Sequence, residues 1–255
     1  MKNNKKTNLI VMVYTALIIA VATVLNLITA FTGVGASMKI SISAIFIKLP
    51  AVLFGPLYGG IAGAVADVLG YFIKPNGGYI FPMTVTAALG CAFVGYIWKY
   101  VKLQSGDKVR KTLAIVAISL VVFSFINNVA VTVFKGTGYA NFISYSEKTE
   151  MFFVVWIDMI AICLGFILLI DYIIKRFFNR IYNENYIKLL VTLAVPNILV
   201  TTINTYILKA FIPALSKVAF WGLYIPRLIE EVIAIVVQAL VISYMLKLYD
   251  KIHKN

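Results

Sequence analysis

The chain has 255 residues, of which 62% are hydrophobic and only 13% charged. Because soluble domains contain roughly 45 to 50% apolar residues, this composition excludes a water-soluble fold. Apolar runs recur from residue 8 to residue 249 with short polar breaks, so no soluble domain of useful size fits between them. We therefore predict an all-α integral membrane protein whose single membrane domain covers residues 1–255.

The formal net charge of +13 follows a topological pattern rather than a nucleic-acid-binding one. Fifteen of the 23 Lys and Arg residues lie at the two chain ends and in two loops, namely Lys2, Lys5, Lys6, Lys99, Lys102, Lys108, Arg110, Lys111, Lys175, Arg176, Arg180, Lys188, Lys247, Lys251 and Lys254. Cytoplasmic loops carry such an excess. We predict a multi-pass protein of the bacterial cell membrane with both termini cytoplasmic, whose surroundings are lipid and not nucleic acid.

Apolar runs long enough to cross a bilayer as helices occur eight times, since each crossing needs about 20 residues. The predicted spans are 9–31, 38–54, 57–74, 83–101, 112–134, 151–174, 188–211 and 226–249. An even number agrees with two cytoplasmic ends. We group them as four spans in 9–101, a pair in 112–174 and a last pair in 188–249.

The pair in 112–174 resembles the last pair. Ile126-Asn127 matches Ile203-Asn204, and the run from Asp158 resembles the run from Glu231. Repeats of this kind often frame the binding sites of transporters. The sequence favours a duplicated helix pair, with chance similarity between apolar helices as the alternative.

The first span carries Ala16 and Ala20 four residues apart, which places small side chains on one helix face. Such strips let a second helix approach closely in lipid, where no hydrophobic force joins helices. The strip is either a docking face for a partner or an ordinary internal packing face.

The stretch from Phe54 to Tyr71, which leads into the third span, contains Gly55, Gly59 and Gly63 at every fourth residue and then Asp67. The glycine spacing predicts tight helix packing. An ionised side chain within a span costs about 3 kcal/mol, so Asp67 should face a partner or a wet cavity. It is a candidate substrate-binding residue, and a structural hydrogen bond to a neighbouring helix is the alternative.

The eighth span opens with Pro226 and Arg227 and continues to Glu230 and Glu231. Arginine at the outer mouth of a span is suited to an anionic ligand group, because its planar guanidinium matches carboxylate geometry. The alternative is an ion pair within the helix, since the acids follow three and four residues later.

Further polar and aromatic candidates lie near the same outer level under this topology: Lys39, Lys74, Phe81 and Asn204. They could converge on one pocket. The alternatives are lysines that extend to lipid headgroups and an aromatic belt at the interface. Lys48 lies within the second span, and the sequence predicts no role for it.

Motifs for chemistry are missing from the sequence. It contains no Gly-rich phosphate loop ending in Lys-Ser/Thr, so ATP-driven action would need an ATPase on another chain. The only histidine, His253, lies in the tail. We expect no catalytic residues, no metal site, no cofactor and no enzyme activity.

Several motifs together resemble the substrate-binding S components of energy-coupling factor (ECF) transporters, especially the folate branch. The resemblance covers about 160 residues and rests on the stretches 39–43, 54–60, 67–70, 78–84, 204–205 and 226–229. The most specific part runs from Phe54-Gly55-Pro56 to Asp67-Val68-Leu69-Gly70. S components usually have six spans, so the pair in 112–174 would be an addition to a six-helix core.

The resemblance implies a high-affinity capture subunit of an ECF-type ABC vitamin importer, for folate or a related anionic vitamin. Arg227 and Lys39 would face carboxylates, while Asp67, Asn204 or Glu231 would meet donors on a heterocycle. It also implies docking of the first-helix strip onto a transmembrane scaffold subunit that works with two ATPase subunits. The subunit would topple in the membrane to release its load.

Other functions remain open from the sequence. The ligand could be a different vitamin, because two extra helices would change the shape of the pocket. A stand-alone secondary transporter of a small organic solute would need ion sites near mid-membrane, for which Asp67, Asp158 and Asp171 are candidates. An intramembrane lipid enzyme is disfavoured, because no catalytic cluster of His, Cys or paired acids occurs.

Overall fold

The structure is a computed structural model that describes residues 2–31, 42–73, 75, 77–133, 150–177 and 183–253. Every regular element within these ranges is a helix. In chain order the helices are α1 Lys2–Phe31, α2 Ser43–Phe54, α3 Pro56–Ile73, α4 Phe81–Val101, α5 Gly106–Val133, α6 Glu150–Phe177, α7 Glu184–Phe211, α8 Pro213–Ser216 and α9 Phe220–His253. The predicted all-α class is confirmed.

Six segments of the described helices are long and apolar enough to cross a membrane. They are Leu9–Leu27, Pro56–Ile73, Phe81–Val101, Gly106–Asn127, Glu184–Phe211 and Phe220–Tyr249. The apolar α2 has only 12 residues. The count of eight spans and the cytoplasmic position of both termini stay predictions.

The last helix begins earlier than the sequence predicted. Its first residue is Phe220, so Pro226 lies inside α9 rather than at its start. The reason is aromatic packing: the Phe220 ring stacks on Tyr206 at 4.5 Å and on Tyr224 at 5.3 Å between ring centroids. These contacts stabilise the first turns of α9. Pro226 has no backbone N–H, so it costs the helix only one hydrogen bond, and the aromatic packing offsets this loss.

The chain divides into two compact units. The first unit comprises Met1–Gln104 and Lys188–Asn255, and the second comprises Ser105–Ile187. In the second unit, α5 packs against α6. There the Arg110 guanidinium donates to Asp171 at 2.8 Å and to Asp107 at 2.6 Å, and the Asp171 side chain is only 1% exposed. The grouping of 112–174 as an added pair stays a prediction.

Glycines bring the helices of the first unit close together, with α3 against both α2 and α4. A methyl group at Gly59 would lie 2.5 Å from the Ala51 methyl, and one at Gly63 would lie 2.5 Å from the Ala87 carbonyl oxygen. Neither position has room for a larger side chain. The glycine spacing in the sequence thus corresponds to close backbone packing of α3.

A tight corner joins α2 and α3. Gly55 has a φ of 97°, a region that favours glycine, and Pro56 is the first residue of α3. The Gly55 amide donates to the Ala51 carbonyl at 3.1 Å, and the Gly55 carbonyl accepts from the Gly59 amide at 3.1 Å. This corner positions Lys48 of α2 beside α9 and Asp67 of α3 beside α4.

Candidate functional site

A small cavity of about 240 Å³ in the first unit collects charged side chains, and we call it the ionic cavity. Its lining residues are Ala44, Lys48, Thr201, Arg227, Glu230, Glu231, Ala234 and Gln238. Arg227, Glu231, Ala234 and Gln238 are spaced four, three and four residues apart, so they form one face of α9. The predicted candidates Arg227 and Glu231 therefore line the same cavity.

Lys48 is the link between α2 and α9. Its ammonium donates a 2.8 Å hydrogen bond to Gln238 Oε1 and lies 3.9 Å from Glu231 Oε1. The side chains of Lys48 and Glu231 are 13% and 25% exposed. A lysine in the apolar helix α2 thus has an acid and an amide as partners, which reduces the cost of placing its charge there.

Polar side chains of α7 complete this cluster. Thr201 donates to Glu231 Oε2 at 3.5 Å, and Asn197 donates to Gln238 Oε1 at 3.5 Å. Thr205 is fully buried; its hydroxyl donates to the Thr201 carbonyl at 2.7 Å and accepts from Arg227 at 3.3 Å. Both oxygens of Glu231 are therefore occupied by groups other than Arg227.

The ion pair within α9 that the sequence offered as the alternative for Arg227 is not formed. In the described part of the chain, no carboxylate oxygen of Glu230 or Glu231 lies within 4.0 Å of the guanidinium. Arg227 is half-buried and its hydrogen bond goes to a neutral hydroxyl. The guanidinium keeps donors for a further acceptor, because it carries five N–H groups.

A larger cavity of about 630 Å³ contains Asp67, and we call it the Asp67 cavity. Polar groups on its wall are supplied by Asn26, Ser43, Asp67, Tyr71 and Tyr79. Ala44 lines this cavity as well as the ionic cavity. The two cavities therefore meet at one residue of α2.

Asp67 is held by a chain of hydroxyl groups. The Thr84 hydroxyl donates to Asp67 Oδ2 at 2.5 Å, and the hydroxyls of Tyr79 and Thr84 lie 2.6 Å apart. Because a threonine hydroxyl has one proton and an ionised carboxylate only accepts, Tyr79 is the donor to Thr84. The hydroxyl chain fixes the orientation of Asp67 and leaves its other oxygen for a second donor.

The remaining candidates have different surroundings. Asn204 Oδ1 accepts a 2.6 Å hydrogen bond from Thr86 of α4, and Asn204 lines neither cavity. Phe81 is 64% exposed at the start of α4. Lys39 and Lys74 lie outside the described residues. Their roles in binding stay predictions.

The small strip of the first span lies on the surface of α1. Ala16 and Ala20 are both exposed, whereas Thr15, Ile19 and Ala22 are buried and form the inner face of the helix. The strip therefore belongs to the outer face of α1 in the isolated chain.

Sequence reasoning missed Lys48, Gln238 and Thr201. A signal existed for Gln238, which continues the Arg227 and Glu231 face of α9 at helical spacing. Lys48 needed a partner on a distant helix, and helical periodicity does not identify one. Within the described residues no group of three or more His, Cys, Asp or Glu side chains is placed to hold a metal ion.

Helices long and apolar enough to cross a membrane, with polar cavities between them, are typical of membrane transport components. The sequence profile of the family described as "ECF transporter, substrate-specific component" matches residues 11–160, more than half of the chain, and the chain belongs to this family. It is a multi-pass membrane protein. The resemblance predicted from the motifs is thus confirmed.

One curated relative carries a folate-related name. "Folate transporter FolT" of Clostridium novyi (strain NT) is 33% identical over 115 residues, which is 45% of this chain and 63% of that protein. The chain thus matches less than two thirds of the relative's length. No solved structure matches the chain. Family and relative are transporter components and not enzymes, as the sequence predicted.

Proposed function

We propose that the chain is the high-affinity substrate-binding subunit of an ECF-type ABC vitamin importer, and that its vitamin is folate or a closely related anion. The family membership and the name of the relative support this function. The observation that carries the ligand class is the pair of cavities that share Ala44, one with Arg227 and the other with Asp67.

The chemistry of the two cavities is complementary to that of folate. Folate carries carboxylates at one end and an amino-substituted heterocycle at the other. Arg227 would receive a carboxylate, because guanidinium and carboxylate form strong charge-assisted hydrogen bonds. Asp67 would accept from the amino group and ring N–H of the heterocycle. The volume of the Asp67 cavity, about 630 Å³, is in the range of ligand pockets.

Lys39, Lys74, Phe81 and Asn204 are proposed as outer contributors to the same pocket. Lys39 would add a second cation for the carboxylates, and Phe81 would cover the ligand at the outer surface. Glu231 would either accept a hydrogen bond from the ligand or determine whether the Arg227 guanidinium is available to it.

The proposed assembly contains a transmembrane scaffold subunit and two ATPase subunits besides this chain. Ala16 and Ala20 are exposed, which supports a role for this strip as a docking face. If the chain has eight spans and both termini lie in the cytoplasm, as the positive-inside rule predicts, Arg227 and Lys39 would lie toward the outside. Uptake of folate by vesicles that contain this chain alone would instead favour a stand-alone secondary transporter.

Binding to the purified chain tests the proposed function. Folate should bind the wild type, and Arg227→Ala should weaken binding more than about tenfold, since hydrogen bonds to charged groups are worth about 1.5 to 3 kcal/mol. Arg176→Ala is the matched control, because Arg176 is exposed near the end of α6 and should leave binding unchanged. Calorimetry measures both. Equal affinity of Arg227→Ala and wild type would rule out the role of Arg227.

A further inference from the structure

Arg227 and Glu231 are one helical turn apart, and acid and base at this spacing normally attract each other. In the structure the two side chains have different partners. Arg227 donates to Thr205, while Glu231 faces Lys48 and Thr201. Both side chains line the same cavity of about 240 Å³, so their opposite charges act on each other across a short distance. Something must therefore compete with Arg227 for Glu231.

Lys48 is the group in position to do so. Its ammonium lies 3.9 Å from Glu231 Oε1 and is anchored by the 2.8 Å hydrogen bond to Gln238 Oε1. The direction of that hydrogen bond is certain, because an ammonium only donates. Asn197 donates to the same oxygen of Gln238 at 3.5 Å, so α2, α7 and α9 all contribute to holding the lysine in place.

We propose that Lys48 is a positioning residue that neutralises Glu231 and thereby keeps the Arg227 guanidinium available to an anionic ligand group. This inference rests on the proposed function for the identity of the ligand. Without Lys48, Glu231 would have one cation within a turn, and the guanidinium would pair with it. The ligand carboxylate would then have to displace an internal carboxylate, and affinity for anionic ligands would fall.

The same arrangement orients Gln238. Its Oε1 receives both Lys48 and Asn197, so the amide nitrogen points to the other side of a side chain that is 3% exposed and lines the ionic cavity. Lys48 thus prepares two donors for a ligand anion, the Arg227 guanidinium directly and the Gln238 amide through its orientation.

A suppressor experiment tests the positioning role with folate as the probe. Lys48→Met should weaken folate binding about tenfold or more, a loss of about 1.4 kcal/mol. Adding Glu231→Gln should restore affinity to within about threefold of Glu231→Gln alone, because no carboxylate then remains at this position to capture Arg227. Adding Glu184→Gln is the control and should restore nothing, because Glu184 is exposed in the first turn of α7 and lines neither cavity. Unchanged affinity in Lys48→Met, or no rescue by Glu231→Gln, overturns the inference.

A second measurement needs no ligand and separates this inference from the proposed function. Phenylglyoxal modifies available guanidinium groups, and mass spectrometry reads the rate at Arg227 relative to the exposed Arg176. We expect Lys48→Met to slow the reaction at Arg227 severalfold and Glu231→Gln to restore it. If the rates follow this order while the wild type binds no folate, the ligand assignment fails and the role of Lys48 stands. If the rate at Arg227 is indifferent to Lys48, the inference fails whatever the folate result. Should Lys48→Met not fold, Lys48→Gln removes the charge and keeps a donor for Gln238.

Discussion

At the residue scale, Asp67 depends on a threonine that contacts it from the neighbouring helix. A carboxylate within a membrane span is costly, by about 2.5 to 3.5 kcal/mol on insertion scales. The Thr84 hydroxyl at 2.5 Å and Tyr79 behind it offset part of that cost and fix one oxygen of the carboxylate. The structural hydrogen bond that the sequence offered as an alternative for Asp67 is therefore present together with the cavity, and the two readings are compatible.

Thr84→Val tests whether this hydroxyl prepares Asp67 for a ligand. Valine keeps the shape but removes the donor, so we expect folate affinity to fall about tenfold and the unfolding temperature to fall by several degrees, since an unsatisfied buried partner costs about 1 to 3 kcal/mol. Thr84→Ser keeps the hydroxyl and is the control. Calorimetry and thermal unfolding in detergent measure the two effects. Equal folate affinities for the valine and serine variants would mean that the Thr84 hydroxyl is not needed to orient Asp67 for ligand binding.

At the element scale, glycine residues allow α3 to pack closely against α2 and α4. The α3 face with Gly59 and Gly63 touches the backbone of α4 so closely that a methyl group has no space. Without a hydrophobic force between helices in lipid, such dispersion contacts supply much of the packing energy. Because Asp67 follows Gly63 by one turn, the glycine face also sets the distance from Asp67 to Thr84 of α4.

Gly63→Ala tests the packing of α3. Its new methyl would lie 2.5 Å from the Ala87 carbonyl oxygen and 3.0 Å from Cys91 Sγ, so we expect a loss of about 1 to 3 kcal/mol of stability. Gly165→Ala is the control, because nothing lies within 4 Å of its added methyl. It should be neutral or slightly stabilising, by up to about 1 kcal/mol from helix propensity. Thermal unfolding compares the two, and a neutral Gly63→Ala would contradict the close packing.

The bounds and contacts of the helices show which structural features could be predicted from the sequence and which could not. Runs of about 20 apolar residues determine the helices, and the spacing of glycines indicates the close face of α3. The start of α9 was predicted too late, because stacking of Phe220 on Tyr206 depends on tertiary contact. The hydrogen bond of Lys48 could not be predicted for the same reason: its acceptor Gln238 is 190 residues away, and a local pattern carries no information about such a pair.

At the scale of the whole molecule, the exposed face of α1 is the proposed route from binding to transport. The inner face of α1 contains Thr15, Ile19 and Ala22, which are buried, so Ala16 and Ala20 remain on the outside for a second protein. Capture and docking would then use separate surfaces of one chain. Loss of docking should leave the ligand cavities intact.

The double variant Ala16→Trp, Ala20→Trp tests this separation. Two indole rings should prevent close approach of a scaffold helix, because small residues are what allow backbones to meet in lipid. We expect co-purification with the scaffold and ATPase subunits to be lost while folate affinity of the isolated chain stays within about twofold of wild type. Val21→Trp, at an exposed position on another side of α1, is the control and should retain the complex. Retention of the complex by the double variant would contradict docking through this strip.

The hydrogen bonding of the corner between α2 and α3 affects how readily this bend can be placed in an apolar environment. A helix of 12 residues rises only about 18 Å, less than the roughly 30 Å of a hydrocarbon core, so α2 alone is too short to cross the bilayer. In the hydrocarbon core of a bilayer, backbone N–H and C=O groups without hydrogen-bond partners are normally not tolerated. At this corner Gly55 satisfies both its amide and its carbonyl from within the chain, and Pro56 has no N–H to satisfy. Gly55 and Pro56 therefore add no unpaired backbone donor to the bend, which lowers the cost of placing it against acyl chains or a dry protein surface.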